Sequence, residues 1–386
     1  MHPLSRFPKL CIVAVALASL TFGCQTVERT TVEASVTAQL LELVPDGRVY
    51  PNDLATDREV GVADAWLFDR ELIIEDTYGR MTSLDRGDLG ARWYFAGLPE
   101  RVDMAATAGP VSVGFVCRGV LYEVNRDFGI LHHSMRLPFI PSAPLSLSDS
   151  TAYGACLATA GGNQTLLTIN LANGLSGWGV STRGSVVSAP VFTVAESRNM
   201  VYFATETGRV YGFPAESAAS PAPEPAWSTG VHGRVTSSPV VSRDPTGETR
   251  DLLFVTTENG EVWALDLVTG QTRWVAYSGR TISGAAWPAG DQVYFQNTDG
   301  FQAVARADGQ KVWSLPVQGT FVARRGDTMF LRTADGVVHA IATATGEVRR
   351  SVNFSKSVRF LPNLKDGVLF AVTDKGLVFA LGIKPF

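Results

Sequence analysis

Leu252 to Trp274 reads LLFVTTENGEVWALDLVTGQTRW, and the fold follows from how this stretch is parsed. Leu252–Thr256 is apolar and β-branched, Glu258–Gly260 is a turn, and Val262–Leu265 is a second strand-like run. Asp266–Gly270 is another turn, which leads into Thr272–Trp274. Two tight turns between short period-2 runs make a meander. Such a unit cannot bury both of its faces alone, so it calls for neighbours of the same kind.

The rest of the chain supplies them. Aligned on the glycine of the first turn, the repeats fall at Gly79, Gly119, Asn163, Gly208, Gly260, Gly300, Gly336 and Gly376. Most steps are about 40 residues, a period that marks propellers. The second turn recurs at Asp85–Gly90, Asn125–Gly129, Asn170–Gly174, Asp308–Gly309 and Thr343–Gly346. Asp, Asn and Gly suit these turns because they tolerate positive φ or bond their own backbone. A closing aromatic follows at Trp93, Trp178, Trp227, Trp274 and Trp313, expected to wedge between blades. Blade 2 has His132 and His133 near that point, and blade 7 has Arg349.

The eighth repeat stops soon after Leu381, before an outer strand. An unpartnered strand-like run, Val36–Val44 (VTAQLLELV), precedes the first repeat and is expected to pair with blade 8 and close the ring. The fold expected is therefore all-β: an eight-bladed propeller of four-stranded antiparallel blades over residues 36–386. Seven blades is the alternative if the weak third repeat is misread. No long helix is expected.

Residues 1–23 read as a signal peptide. Arg6 and Lys9 precede the apolar run Leu10–Phe22, which is too short to span a membrane. Gly23-Cys24 resembles the cleavage site of bacterial lipoproteins, which makes Cys24 the expected lipid attachment point and residues 24–35 a polar tether. Ordinary signal cleavage nearby, leaving Cys24 a free thiol, is the other reading. Without Arg6 and Lys9 the formal charge moves from −4 to about −6. With no basic run anywhere, that argues against nucleic acid as a partner. Strands of about four to seven residues are too short for a transmembrane barrel.

The first strand of each blade should line the central channel, as at Pro144–Leu147, Pro190–Thr193 and Pro239–Ser242. Two long loops break the compact pattern. Pro214–Ala226 (PAESAASPAPEPA) separates the last two strands of blade 4, and Arg243–Asp251 (RDPTGETRD) the first two of blade 5. In a four-stranded meander both emerge on one face, giving a candidate partner-binding rim of Pro214, Glu216, Pro221, Pro223, Pro225, Arg243, Asp244 and Arg250. A tolerated insertion without a binding role is the alternative.

Candidate chemistry is sparse. Asp76, Glu206, Glu258, Asp299, Asp335 and Asp374 recur before the third strand and so ring one face. A metal needs several oxygens within about 2.5 Å of one point, and a wide ring does not converge. Cys117 and Cys156 lie on neighbouring blades and read as two buried thiols, with a disulfide as the alternative. His132, His133, His232 and His339 show no metal-ligand spacing. There is no GxSxG, HExxH, P-loop or CxxC motif, so the chain reads as not an enzyme and without a metal.

The pattern of Gly260–Trp274 resembles the PQQ-type propeller repeat, and the resemblance covers roughly Gly61–Phe386. Quinone dehydrogenases of this family hold PQQ with an adjacent cysteine pair and carboxylate calcium ligands. The chain has no adjacent cysteines, so no cofactor is expected. An exported, eight-repeat chain with this N-terminus is similar to the propeller lipoproteins of the outer-membrane barrel-assembly machinery. That resemblance implies a non-catalytic scaffold at the outer membrane, facing the periplasm, monomeric by itself and acting on other proteins through exposed strand edges. A binding module for a sugar, peptide or envelope polymer, and a quinone-dependent oxidoreductase, are the other readings, because propellers host all three.

Overall fold

Eight antiparallel four-stranded sheets follow one another along the chain. Seven are continuous, at residues 62–95, 107–136, 146–181, 191–230, 240–277, 287–315 and 320–353. The eighth takes three strands from residues 358–381 and its outermost strand from Asn52–Asp53. The structure is a computed structural model that describes residues 25–45, 52–53, 60–156, 164–182, 184–186, 188–195, 198–215, 218, 220–243, 251–354, 356 and 358–381. The chain is an eight-bladed β-propeller, and the third repeat is a full blade.

An N-terminal strand does close the ring, but not the expected one. Asn52 pairs with Val378 and Asp53 with Leu377, so blade 8 is built from both ends of the chain. Val36–Val44 is not a strand: Gln25–Leu43 forms helix α1, which also takes in residues 25–35 of the expected tether. The buried residues Val36, Leu40, Leu43 and Val44 are spaced i, i+4, i+7 and i+8, one face of a helix. They join Val352, Phe354, Phe360 and Phe379 in a single core cluster at the junction of blades 7 and 8. The short apolar run Leu40-Leu41 and Leu43-Val44 hid this 3.6-residue period.

Each blade is dry in the middle. In blade 5 every residue of Leu252–Thr256 and Glu261–Asp266 is buried, while Val240–Ser242 is half-buried and half of Thr272–Tyr277 is exposed. Middle strands are covered on both faces by adjacent blades, which is why they read as near-continuous apolar runs.

The tryptophans and the second-turn glycines form one repeated joint. Trp93, Trp227, Trp274 and Trp313 donate their indole N–H to the carbonyls of Arg126, Leu267, Arg306 and Thr343 on the following blade, at 2.8, 3.2, 2.9 and 2.7 Å. Each ring lies against that blade's turn glycine. A Cβ at Gly309 would fall 2.5 Å from Trp274, and one at Gly129 2.7 Å from Trp93. Trp178 is also buried, packed on Tyr153. In blade 2, Met135 takes the wedge position against Gly174.

A second joint uses the residue just after the third strand. Arg126 reaches back to blade 1, where it donates to Glu71 at 2.7 Å, to the Gly109 carbonyl of its own blade at 2.7 Å, and to Asp69. Arg86 reaches back to blade 8, donating to Asp366 at 3.0 Å and Asn363 at 2.6 Å, and stacks on Phe370.

Candidate functional site

The loops between strands one and two, and between three and four, share one face of the ring, here called the upper face. The strand ends that flank the two long segments, Pro214 and Trp227 in blade 4 and Ser242 and Leu252 in blade 5, lie on that face. Pro221 and Pro225 are exposed, and Pro214 and Pro223 are half-buried. Glu216, Asp244 and Arg250 lie outside the described residues, as do residues 1–23 and Cys24. Arg243 is exposed, and its guanidinium donates to Thr193 Oγ1 at 2.5 Å and to the Val194 carbonyl at 2.6 Å, which ties it to blade 4. The blade 4 loop leans the other way. Ala218 is buried, its N–H donates to Thr151 Oγ1 of blade 3 at 3.0 Å, and a Cβ at Gly177 of blade 3 would meet it at 2.5 Å.

Sequence reasoning missed the neighbouring surface. Phe128 is 72% exposed, Ile130 63% and Leu175 64%, all in the second turns of blades 2 and 3 on the upper face. The same turn positions hold Thr269, Asp308 and Thr345, and Gln271, Gln310 and Glu347, in blades 5 to 7. The signal was in the aligned repeat: apolar residues where the pattern wants polar ones. Isolated exposed apolar residues need no explanation, but several on adjacent turns mark an interaction surface. With the long loops they form an arc over blades 2 to 5.

On the same face a hollow of about 960 Å³ opens between blades 1, 5, 6 and 8, its apolar wall made by Leu67, Phe68, Val241, Pro288, Pro362 and Leu364. A second hollow of about 350 Å³ adjoins it between blades 6, 7 and 8. Carboxylates at the mouth are engaged. Burial tends to raise the pKa of Asp69 and of Asp366. Hydrogen bonds from Arg126 to the first, and from Arg86 and Asn363 to the second, outweigh it and hold both below the usual aspartate value. Asp291 pairs with Arg324.

On the lower face the ring of acidic turn residues serves local structure. Asp76 accepts from the N–H of Tyr78 and of Arg80, Glu206 from the N–H of Ser185, and Asp299 pairs with Arg280 at 2.8 Å. Among the described residues no group of His, Cys, Asp and Glu is placed to hold a metal ion. His133 and His132 stand 3.4 and 3.9 Å from Glu123, and His339 meets Ser351 Oγ at 2.7 Å within its strand pair. Cys117 and Cys156 are buried free thiols; burial pushes Cys156 up to about 11. No described helix is long and apolar enough to cross a membrane.

Known proteins share this architecture. BamB from Moraxella catarrhalis superposes with a TM-score of 0.63 at 17% identity, over 87% of this chain and 98% of that one. The computationally designed Ika8 protein gives 0.59 at 14% identity, over 85% and 98%. At such identities the likeness is one of fold. The outer membrane protein assembly factor BamB of Burkholderia pseudomallei (strain K96243) is 31% identical over 123 residues, which are 31% of this chain and 30% of that protein. A family model described as outer membrane protein assembly factor BamB matches residues 162–320 and 301–384. With more than half its length under that model, this eight-bladed chain belongs to the PQQ-type propeller family of outer membrane protein assembly factor BamB.

Proposed function

We propose that the chain is a non-catalytic scaffold for outer-membrane protein assembly, lipid-anchored through Cys24, facing the periplasm and monomeric by itself. The observation that carries this reading is the family match across residues 162–384. The upper-face arc supplies the means. Phe128, Ile130 and Leu175 offer apolar contact, and the rim from Pro214 to Asp251 offers two long loops on a rigid ring. The outer strands add a second mode. Leu131–Arg136 and Val348–Asn353 are exposed at all positions but one, and such edges can accept an added strand. Under this reading Glu216, Asp244 and Arg250 belong to the rim with Pro214, Pro221, Pro223, Pro225 and Arg243.

The test is a crosslinked affinity pull-down of the tagged full-length chain from gently solubilised membranes. An outer-membrane insertase is expected to co-purify. Phe128→Asp/Ile130→Asp, two exposed positions whose change leaves the fold intact, should weaken recovery at least severalfold. Palmitate labelling lost in Cys24→Ser checks the anchor. Reproducible recovery of the protein alone, as a monomer, would overturn the scaffold reading.

A further inference from the structure

We infer that the two adjoining hollows of the upper face are a binding site for an anionic amphiphile, a molecule with one carboxylate or phosphate on an apolar chain. The inference stands apart from the scaffold role and does not depend on it.

It starts from a charge without a counterion. Arg325, at the end of the inner strand of blade 7, has a buried Nη1 with no acceptor among the described residues. The residue as a whole is half-buried, so the rest of its guanidinium group can meet an anion from solvent. Arg325 lines the smaller hollow together with Lys365. The carboxylates nearby cannot serve it, because Asp366 is held by Arg86 and Asn363, and Asp291 by Arg324. Lys365 is exposed; its Nζ donates to the Asp69 carbonyl at 3.1 Å, near the Asp69 carboxylate that Arg126 already holds. Across the two hollows, the described lining has six cationic side chains and three carboxylates, in a chain whose formal charge is −4. A cleft with such an excess of one sign and low-dielectric walls concentrates the opposite ion.

The shape then sets the ligand class. The two hollows share Gly290, Asn363, Leu364 and Lys365, so they adjoin along these residues. Gly326, at the exposed turn after Arg325, lines the smaller one and has open space where a side chain would stand. An anionic head placed there reaches Arg325 and Lys365. The attached chain then lies in the larger hollow against Leu67, Phe68 and Leu364, within the size range of small-molecule sites. A bare anion would leave the apolar walls empty.

The experiment is calorimetric titration of the full chain with sodium laurate and with lauroyl lysophosphatidylglycerol, beside dodecanol and inorganic phosphate. Saturable one-to-one binding of at least one of the two amphiphiles is expected. The tighter one identifies the head group as carboxylate or phosphodiester. Dodecanol and phosphate should each bind at least tenfold more weakly. Arg325→Gln should reduce amphiphile affinity about tenfold, the worth of one charge-assisted hydrogen bond. That variant removes an unpaired charge and is expected to keep the wild-type melting temperature; Lys365→Gln, at an exposed position, is the second test and should weaken binding in the same direction. Dodecanol binding as tightly as laurate, affinity unchanged in both variants, or no saturable binding would overturn the inference.

Discussion

The joint between Trp274 and Gly309 can be taken apart quantitatively. Gly309 has φ +74°, and a Cβ there would stand 2.5 Å from the Trp274 ring. Alanine at 309 therefore meets two penalties: a left-handed backbone, about 1 kcal/mol, and overpacking, about 1–3 kcal/mol. Gly279 isolates the first, since its φ is +76° and a Cβ would meet nothing within 4 Å. Gly279→Ala should cost about 1 kcal/mol and Gly309→Ala about 2–4. Trp274→Ala removes a ring that is 8% exposed and its hydrogen bond to the Arg306 carbonyl, at about 3–5 kcal/mol. In the double variant the new methyl no longer meets a ring. The pair should then fall short of additivity by the overpacking energy, about 1–3 kcal/mol. Equilibrium urea unfolding followed by far-UV circular dichroism measures all four. If Gly309→Ala costs no more than Gly279→Ala, or the cycle closes additively within about 0.5 kcal/mol, the joint is not what requires glycine at that turn.

Other expectations follow from the same geometry. Glu71 and Arg126 are 0% and 3% exposed and bridge blades 1 and 2, so Arg126→Met should cost about 3–5 kcal/mol in urea unfolding, and adding Glu71→Met should recover most of it. Asp366 is held below the ordinary aspartate pKa in the folded chain, so its contribution is present above the unfolded value and lost as pH falls through the folded one. Asp366→Asn should accordingly be less stable than wild type at pH 7 and converge on it in the acid limb of a stability–pH curve. Leu43 is 6% exposed and Leu41 37%, which separates a helix from a strand in which the two would share a face. Leu43→Ala should cost about 2–5 kcal/mol and Leu41→Ala less than about 1, read by thermal unfolding.

Most of the ring was legible because the repeat is its own alignment. Four second-turn glycines and four closing tryptophans are explained by one contact, Trp to Gly on the next blade, so their spacing could be read without coordinates. Helix α1 was not legible as a helix, because it occurs once and its apolar face is set by a single junction rather than by a repeat. Arg325 was equally silent. It sits at an ordinary strand end, and only the positions of Asp291 and Asp366, committed to other partners, make its charge unusual. The exposed Phe128 and Ile130 were in principle readable, since they break the polar pattern of the second turn.

Two of the places where the repeat rule fails lie at the seam. Blade 7 carries Arg350 opposite Ala340, where blade 5 carries Trp274 opposite Ala264, and the outer strand of blade 8 is Asn52–Asp53. Neither offers a tryptophan to the next blade. At the first junction α1 supplies the missing apolar volume with Val36, Leu40 and Leu43. At the second, the turn glycine of blade 1 has nothing to make room for, and Leu89 occupies its place at φ 60°, buried against Val368, Phe370 and Ala380. A leucine forced into a left-handed backbone costs about 1–2 kcal/mol, roughly what burying its side chain returns. The substitution is tolerable only where no ring stands opposite. The seam is thus built from the segment just after Cys24, and in an anchored chain the ring closure and the membrane attachment would be neighbours in sequence, about 30 residues apart, an extended reach of at most ~100 Å. Helix α1 shortens that reach, because its 19 residues rise only about 1.5 Å each and its second half is fixed to blades 7 and 8. An anchored propeller would therefore hold its seam toward the membrane and leave the arc over blades 2 to 5, on the far side of the ring, free for partners.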